Sequence, residues 1–280
     1  MHDRPTRSAL YIPGSKDRAL EKARSLPVDV ILFDLEDAVT PDAKVAARDT
    51  LFAALAGGGY GMRLRIVRIN ALDTAWGRED AAAVAAMDCD AILLPKVNST
   101  ADVDALAVLV PDLPIWAMME TPQGVLNAAS IAAHPRIAGF VMGTNDLAKD
   151  IGSRGRPALM MALQMCLLAA KAAGIVALDG VYNAFQDDDG LQAECTEGRD
   201  IGFDGKTLIH PAQIAITNAA FGPSDADIDL ARRQIAAFAD AEAAGQGVAV
   251  VDGKIVENLH IVTAKATLAK AEAIAALENV

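Results

Sequence analysis

The chain is poor in cysteine, with three in 280 residues, and short of positive charge, with 25 lysines and arginines against 37 acids. Cys89, Cys166 and Cys195 are odd in number and stand at neither metal-ligand nor redox spacing. That argues against a disulfide framework or a metal cluster and leaves them as small core residues of a reduced interior. A formal net charge of −12 and a sequence pI near 4.7 argue against nucleic acid and anionic membrane surfaces as partners. Any polyanionic ligand must then be met by locally placed cations. No apolar run reaches membrane length, and MHDRPTRSALYIPG holds no signal-like apolar core, so a cytoplasmic protein is expected. A glycine-rich dinucleotide turn is also missing, since PGSKDR follows the first apolar run.

What is present is a 52% hydrophobic chain, enough for a large core, built on one repeating pattern. Short apolar runs at 9–13, 30–37, 63–70, 91–97, 114–121, 137–146, 176–182 and 205–211 read as strands. Longer periodic stretches between them read as helices, among them 16–26, 43–55, 76–87, 102–110, 123–133, 158–173, 190–201 and 211–219. Near-continuous apolar strands alternating with amphipathic helices imply a parallel sheet covered on its outer face. Eight such units close most simply into a TIM (β/α)8 barrel over residues 1–222. A doubly wound open sheet is the competitor, disfavoured by the missing glycine turn. Residues 223–280 change character: a capped helix, a hairpin turning at Asp252-Gly253, and a second helix. This extension either covers a barrel mouth, its own or a neighbour's, or serves as an oligomerisation arm.

Polar residues collect at the strand ends: Asp34, Glu36 and Asp37; Arg68 and Asn70; Lys96; Glu120; Asn145 and Asp146; Asp179; His210. The C-terminal edge of such a barrel is where active-site loops sit. Glu120 and Asp146 close consecutive strands, which places two carboxylates side by side. Such a pair either shares a cation, the few hard oxygen ligands suiting magnesium, or caps two helices. With an ion between them and Arg68 across the pocket, a 2-oxo acid could be chelated and polarised, and a developing enolate met by the guanidinium. That arrangement suits aldol or Claisen-type carbon–carbon chemistry. Lys96 must be weighed as a Schiff-base lysine, although a metal route leaves it an electrostatic or substrate-binding role. Glu36 and Asp37 are placed to hold ion-bound waters and Asp34 to orient Arg68, while for Asp37 helix capping competes.

The segments RSALYIPGSKDRALEKA, DVILFDLEDAVTPDAKVAAR, VRIN, LPKV, METPQGVLNA, GTNDLAKDIG, LDGVYNAFQDDDGL and GKTLIHPAQI, in this order, closely resemble the citrate lyase beta subunit family. That family belongs with the malyl-CoA lyases among the HpcH/HpaI-type aldolases. The resemblance implies a TIM barrel, Mg2+ held by Glu120 and Asp146, and Arg68 as the arginine contacting the 2-oxo acid and the thioester enolate. It also implies an acyl-CoA substrate, cleaved to or built from acetyl-CoA or propionyl-CoA and a 2-oxo acid such as glyoxylate or oxaloacetate, in a homotrimer or homohexamer. A carbon–carbon lyase is therefore the first expectation. A malyl-CoA thioesterase, or a citryl-carrier lyase subunit working on an acyl-carrier protein, is the alternative.

One departure matters. Many relatives carry a lid aspartate after the DGK turn, acting in proton transfer; here DGKIVENLHI puts Glu257 in its place. A placement error of about 1 Å costs roughly a hundredfold in rate, so the longer side chain leaves the lid catalytic or merely structural. For CoA phosphates, Arg7, Lys16, Arg18 and Lys22 are the cations expected around the first βα turn, with Lys16 and Arg18 the chosen pair. A solvated helix face is the plainer account of them.

Overall fold

The structure is a computed structural model, and it describes residues 4–278. Eight parallel strands, β1 (Ser8–Pro13), β2 (Val30–Asp34), β3 (Leu64–Arg68), β4 (Ala91–Leu94), β5 (Ile115–Met119), β6 (Ile137–Met142), β7 (Val176–Asp179) and β8 (Gly205–Leu208), pair in sequence order. β1 also pairs with β8, so the sheet closes on itself. The helices are α1 (Asp17–Ala23), α2 (Lys44–Ala56), α3 (Gly77–Val84), α4 (Thr100–Ala107), α5 (Pro122–Leu126), α6 (Ala128–Ala132), α7 (Thr144–Ile151), α8 (Met160–Ala173), α9 (Asp188–Ile201) and α10 (Ile214–Phe221). This is the TIM-barrel fold expected from the alternation of runs.

Alternate residues of each strand face opposite sides, which makes two cores. Val30, Leu32, Leu64, Ile66, Leu93, Trp116, Met118 and Leu178 fill the lumen. Ile31, Phe33, Val67 and Ile92 face outward onto helix residues such as Leu51, Leu55, Leu106 and Leu163. Trp116 is the largest side chain inside and depends on Gly139, where a Cβ would fall 2.6 Å from the indole. Register then decides what reaches the mouth. Asp34 pairs with Arg68, and on β5 the lumen-facing series Trp116 and Met118 continues to Glu120, so the inward residues of β2, β3 and β5 arrive together at the C-terminal rim.

Two expected elements and the placement of one expected residue differ in ways that bear on the site. The sixth strand stops at Met142 rather than running to Asp146, because Gly143 turns out of the sheet and Thr144 begins α7, which ends at the left-handed Gly152. The helix expected over 123–133 breaks at Asn127, whose side-chain amide donates to the Asn98 carbonyl at 2.7 Å. Arg7 lies before β1, at the opposite end of the barrel from the first βα turn, and its guanidinium is spent on buried Asp29 at 2.9 Å. It therefore leaves the expected phosphate-binding group.

Beyond α10 come α11 (Asp225–Ala243), a hairpin of β9 (Ala249–Val251) and β10 (Lys254–Val256), and α12 (Asn258–Glu278). Ser224 caps α11 reciprocally with Asp227, as the sequence pattern implies. The hairpin packs on α11 through Phe238, Ala241, Ala249, Val256 and Ile261. α12 runs beneath the barrel: Glu278 reaches Arg7 at 3.1 Å, and Ala266, Ala269 and Ala273 line a cavity with Pro5, Thr6 and Val176. The final two residues of the expected second helix lie outside the described residues. Among the described residues no helix is long and apolar enough to cross a membrane.

Candidate active site

A cavity of about 310 Å³ opens at the C-terminal rim, lined by Tyr11, Asp34, Asp37, Arg68, Met118, Glu120, Thr144, Asp146 and their neighbours. The lumen-facing parity of β2, β3 and β5 delivers Asp34, Arg68 and Glu120, while α7 contributes Asp146 from its first turn.

Arg68 is held in a fork by Asp34, with Nε–Oδ1 at 2.8 Å and Nη2–Oδ2 at 2.6 Å. Asp34 in turn accepts the backbone N–H groups of Glu36 and Ala38, so it is fully bonded and buried. The third guanidinium nitrogen, Nη1, donates to Asp37 at 3.2 Å and lies 2.8 Å from Glu36 Oε2 without hydrogen-bond alignment. Arg68 is 6% exposed and stacks over the Tyr11 ring at 4.9 Å. Burial works against its charge, but Asp34, Tyr11 and Glu36 together outweigh that and keep it firmly cationic.

Lys96 bridges the carboxylates opposite. Its ammonium lies 3.0 Å from Asp146, 3.4 Å from Glu36 and 4.0 Å from Glu120, and its backbone N–H donates to Glu120 at 2.8 Å. Burial would lower the lysine pKa, but Glu36, Asp146 and Glu120 raise it. Lys96 therefore stays charged, which makes it a poor Schiff-base amine. Burial and the neighbouring Glu36 charge push Glu120 up to about 7 despite Lys96. Burial raises Glu36 also, against the pull of Arg68. Five carboxylates thus face two cations, an imbalance that a bound cation relieves.

The donor set fits a hard divalent ion. Among the described residues no group of three His, Cys, Asp or Glu stands ready to hold a metal by itself. Two carboxylates that leave several positions to water and ligand match what magnesium takes from proteins. The backbone is shaped for this: a Cβ at Gly143 would fall 2.4 Å from Glu120 Cβ and 2.5 Å from its Oε2, so only glycine lets that carboxylate lie where it does.

Other predicted residues are elsewhere. The side chains of Lys16 and Arg18 project into solvent from the first βα turn, on the rim side. Glu257 is exposed between the hairpin and α12, its N–H donating to His260 at 3.0 Å, and does not line this cavity. Asp179 faces away from the lumen and binds Arg156 and Lys206, Asn70 is fixed by Asp80, and His210 stacks on Phe185. Sequence reasoning missed Tyr11, Gly143 and Lys44, the last of which pins the acidic loop through the carbonyls of Leu35 and Glu36 at 3.2 and 2.9 Å. Only Tyr11 left a trace, as an aromatic in a short strand that opens on the polar rim. The cysteines are no nucleophiles, since burial pushes the thiols of Cys89 and Cys166 up to about 12.

The sequence profile of the HpcH/HpaI aldolase/citrate lyase family matches residues 7–211. The chain belongs to that family. Within it, a (3S)-malyl-CoA thioesterase of Cereibacter sphaeroides is 67% identical over 275 residues, covering 97% of this chain and 96% of the relative. An L-malyl-CoA/beta-methylmalyl-CoA lyase of Cereibacter sphaeroides is 33% identical over 307 residues, covering 98% and 96%. Among solved structures of the family, CitE from Mycobacterium tuberculosis in complex with magnesium, acetoacetate and coenzyme A superposes with a TM-score of 0.80. It is 31% identical, with 97% of this chain and 100% of that one covered. These identities correct the lyase expectation: the near relative is named for hydrolysis of a thioester, and the relative named as a lyase shares only half that identity. Motif order could not separate the two, because both outcomes share one barrel rim.

Proposed function

We propose that the chain hydrolyses a hydroxyacyl-CoA of the (3S)-malyl-CoA type, releasing CoA and the hydroxy acid. The observation that carries this is the 67% identity, end to end, with a (3S)-malyl-CoA thioesterase. Glu120 and Asp146 would hold Mg2+, which supplies Lewis-acid polarisation of a carbonyl when bound. Arg68, locked by Asp34 and offering Nη1 to the cavity, holds the acyl carboxylate or the oxyanion. Asp37 lines the same cavity and is the base placed to take a proton from the attacking water and return it to the departing thiolate sulfur. Lys16 and Arg18 are free to meet the CoA phosphates at the rim. Glu257 does not line this chain's cavity, so it would take part only from a neighbouring copy.

The test is product analysis of (3S)-malyl-CoA turnover by the full chain with Mg2+. Free CoA and malate are expected in equal amounts, with chelation of Mg2+ silencing the reaction. Asp146→Ala and Arg68→Lys should each lower kcat/KM at least about a hundredfold, the scale of losing one electrostatic stabiliser. Acetyl-CoA and glyoxylate in place of free CoA would overturn the proposal.

A further inference from the structure

Lys96 is one of only two non-glycine residues among the described ones with a left-handed backbone, at φ 53°. Side chains with a Cβ avoid that region unless the surroundings hold them there, and such strain gathers where function uses it. At this position the backbone turns the Lys96 N–H onto Glu120 at 2.8 Å and carries the side chain back over the rim. Its ammonium then becomes the point on which Asp146, Glu36 and Glu120 converge, at 3.0, 3.4 and 4.0 Å. Two of those three are the acids assigned to the ion. The side chain is nonetheless 44% exposed, so it can leave for solvent without surrendering a packed position.

From this geometry we propose that Lys96 is a built-in competitor for the divalent cation. Its ammonium balances the carboxylates, and the ion enters only as the ammonium swings out, because two cations cannot share one ring of oxygens a few ångströms wide. Lys96 is thus a positioning residue that sets the concentration at which the ion is taken up. It keeps the acids from driving one another apart, and in exchange it weakens ion affinity. This inference rests on Glu120 and Asp146 being the ion's ligands.

The test is calorimetric titration of Mn2+ into the full-length chain, as wild type, Lys96→Met, Lys96→Asn and Asp146→Ala. Lys96→Met keeps an uncharged stem of similar length, and Lys96→Asn guards against misfolding because asparagine tolerates the left-handed backbone. Both Lys96 variants should bind at least about tenfold more tightly than wild type, and Asp146→Ala should lose binding. Lys96 variants that bind no better than wild type, while Asp146→Ala still loses the ion, would overturn the competition and leave the ion site standing. No uptake by wild type and by both Lys96 variants would remove the site, and the competition with it.

Discussion

At the scale of single residues, Glu120 carries the clearest signature. Its carboxyl titrates at about 7 because burial and Glu36 disfavour its charge, against an ordinary value near 4.5. Between those values the folded chain holds a proton that the unfolded chain has released. The stabilising contribution is therefore complete below about 4.5 and lost as pH rises through about 7. An incoming divalent ion must expel the same proton. Ion affinity should accordingly rise about tenfold per pH unit below 7 and level off above it, which titration in a series of buffers would show. Glu120→Gln should lose ion binding yet melt a few degrees higher than wild type above neutral pH, roughly the effect of one to two kcal/mol in a chain of this size. A lower melting temperature would mean that the charge is already compensated within the protein.

At the scale of elements, the barrel rim is held by contacts far apart in sequence. Asp179 at the end of β7 takes Arg156 through both oxygens at 3.0 and 2.9 Å and fully buried Lys206 at 3.0 Å, with Glu194 of α9 also on Lys206. Removing the central acid leaves fully buried Lys206 with Glu194 alone and Arg156 with Glu194 and Glu197, in the layer between β7, β8 and α9. Asp179→Ala should therefore cost roughly 1.5–3 kcal/mol in chemical denaturation, the scale of losing charge-assisted hydrogen bonds whose cations keep other partners. The strands themselves were legible because each is a short apolar run, and the closure followed from their number. Asp179 shows the limit of that reasoning: a charged strand end reads alike whether its side chain enters the lumen or backs onto a helix. One residue of parity separates it from Gly180, and only register fixes parity. Asp34, Arg68 and Glu120 could be placed at the rim from the sequence because inward parity and polarity coincide there, whereas Asp146 arrives from the first turn of α7 and not from a strand. Gly143 was missed because its importance lies in a side chain it does not have.

At the scale of the molecule, the extension does not cover this chain's own mouth, since α12 passes beneath the barrel and the hairpin rides on α11. Val250, Ile255, Leu259 and Val262 stay exposed on the hairpin and the start of α12, an apolar face of the kind that a second copy covers. Val250→Glu combined with Ile255→Glu should shift the chain to a smaller species in sedimentation while far-UV circular dichroism stays unchanged. An unaltered sedimentation coefficient would assign the face another use. The lumen below the site is filled by Trp116, and the opposite opening is crossed by α12. The barrel is therefore a cup and not a pipe: whatever goes in at the brim must come out at the brim. For the hydrolysis proposed above, both products would leave through the same opening by which the substrate came in.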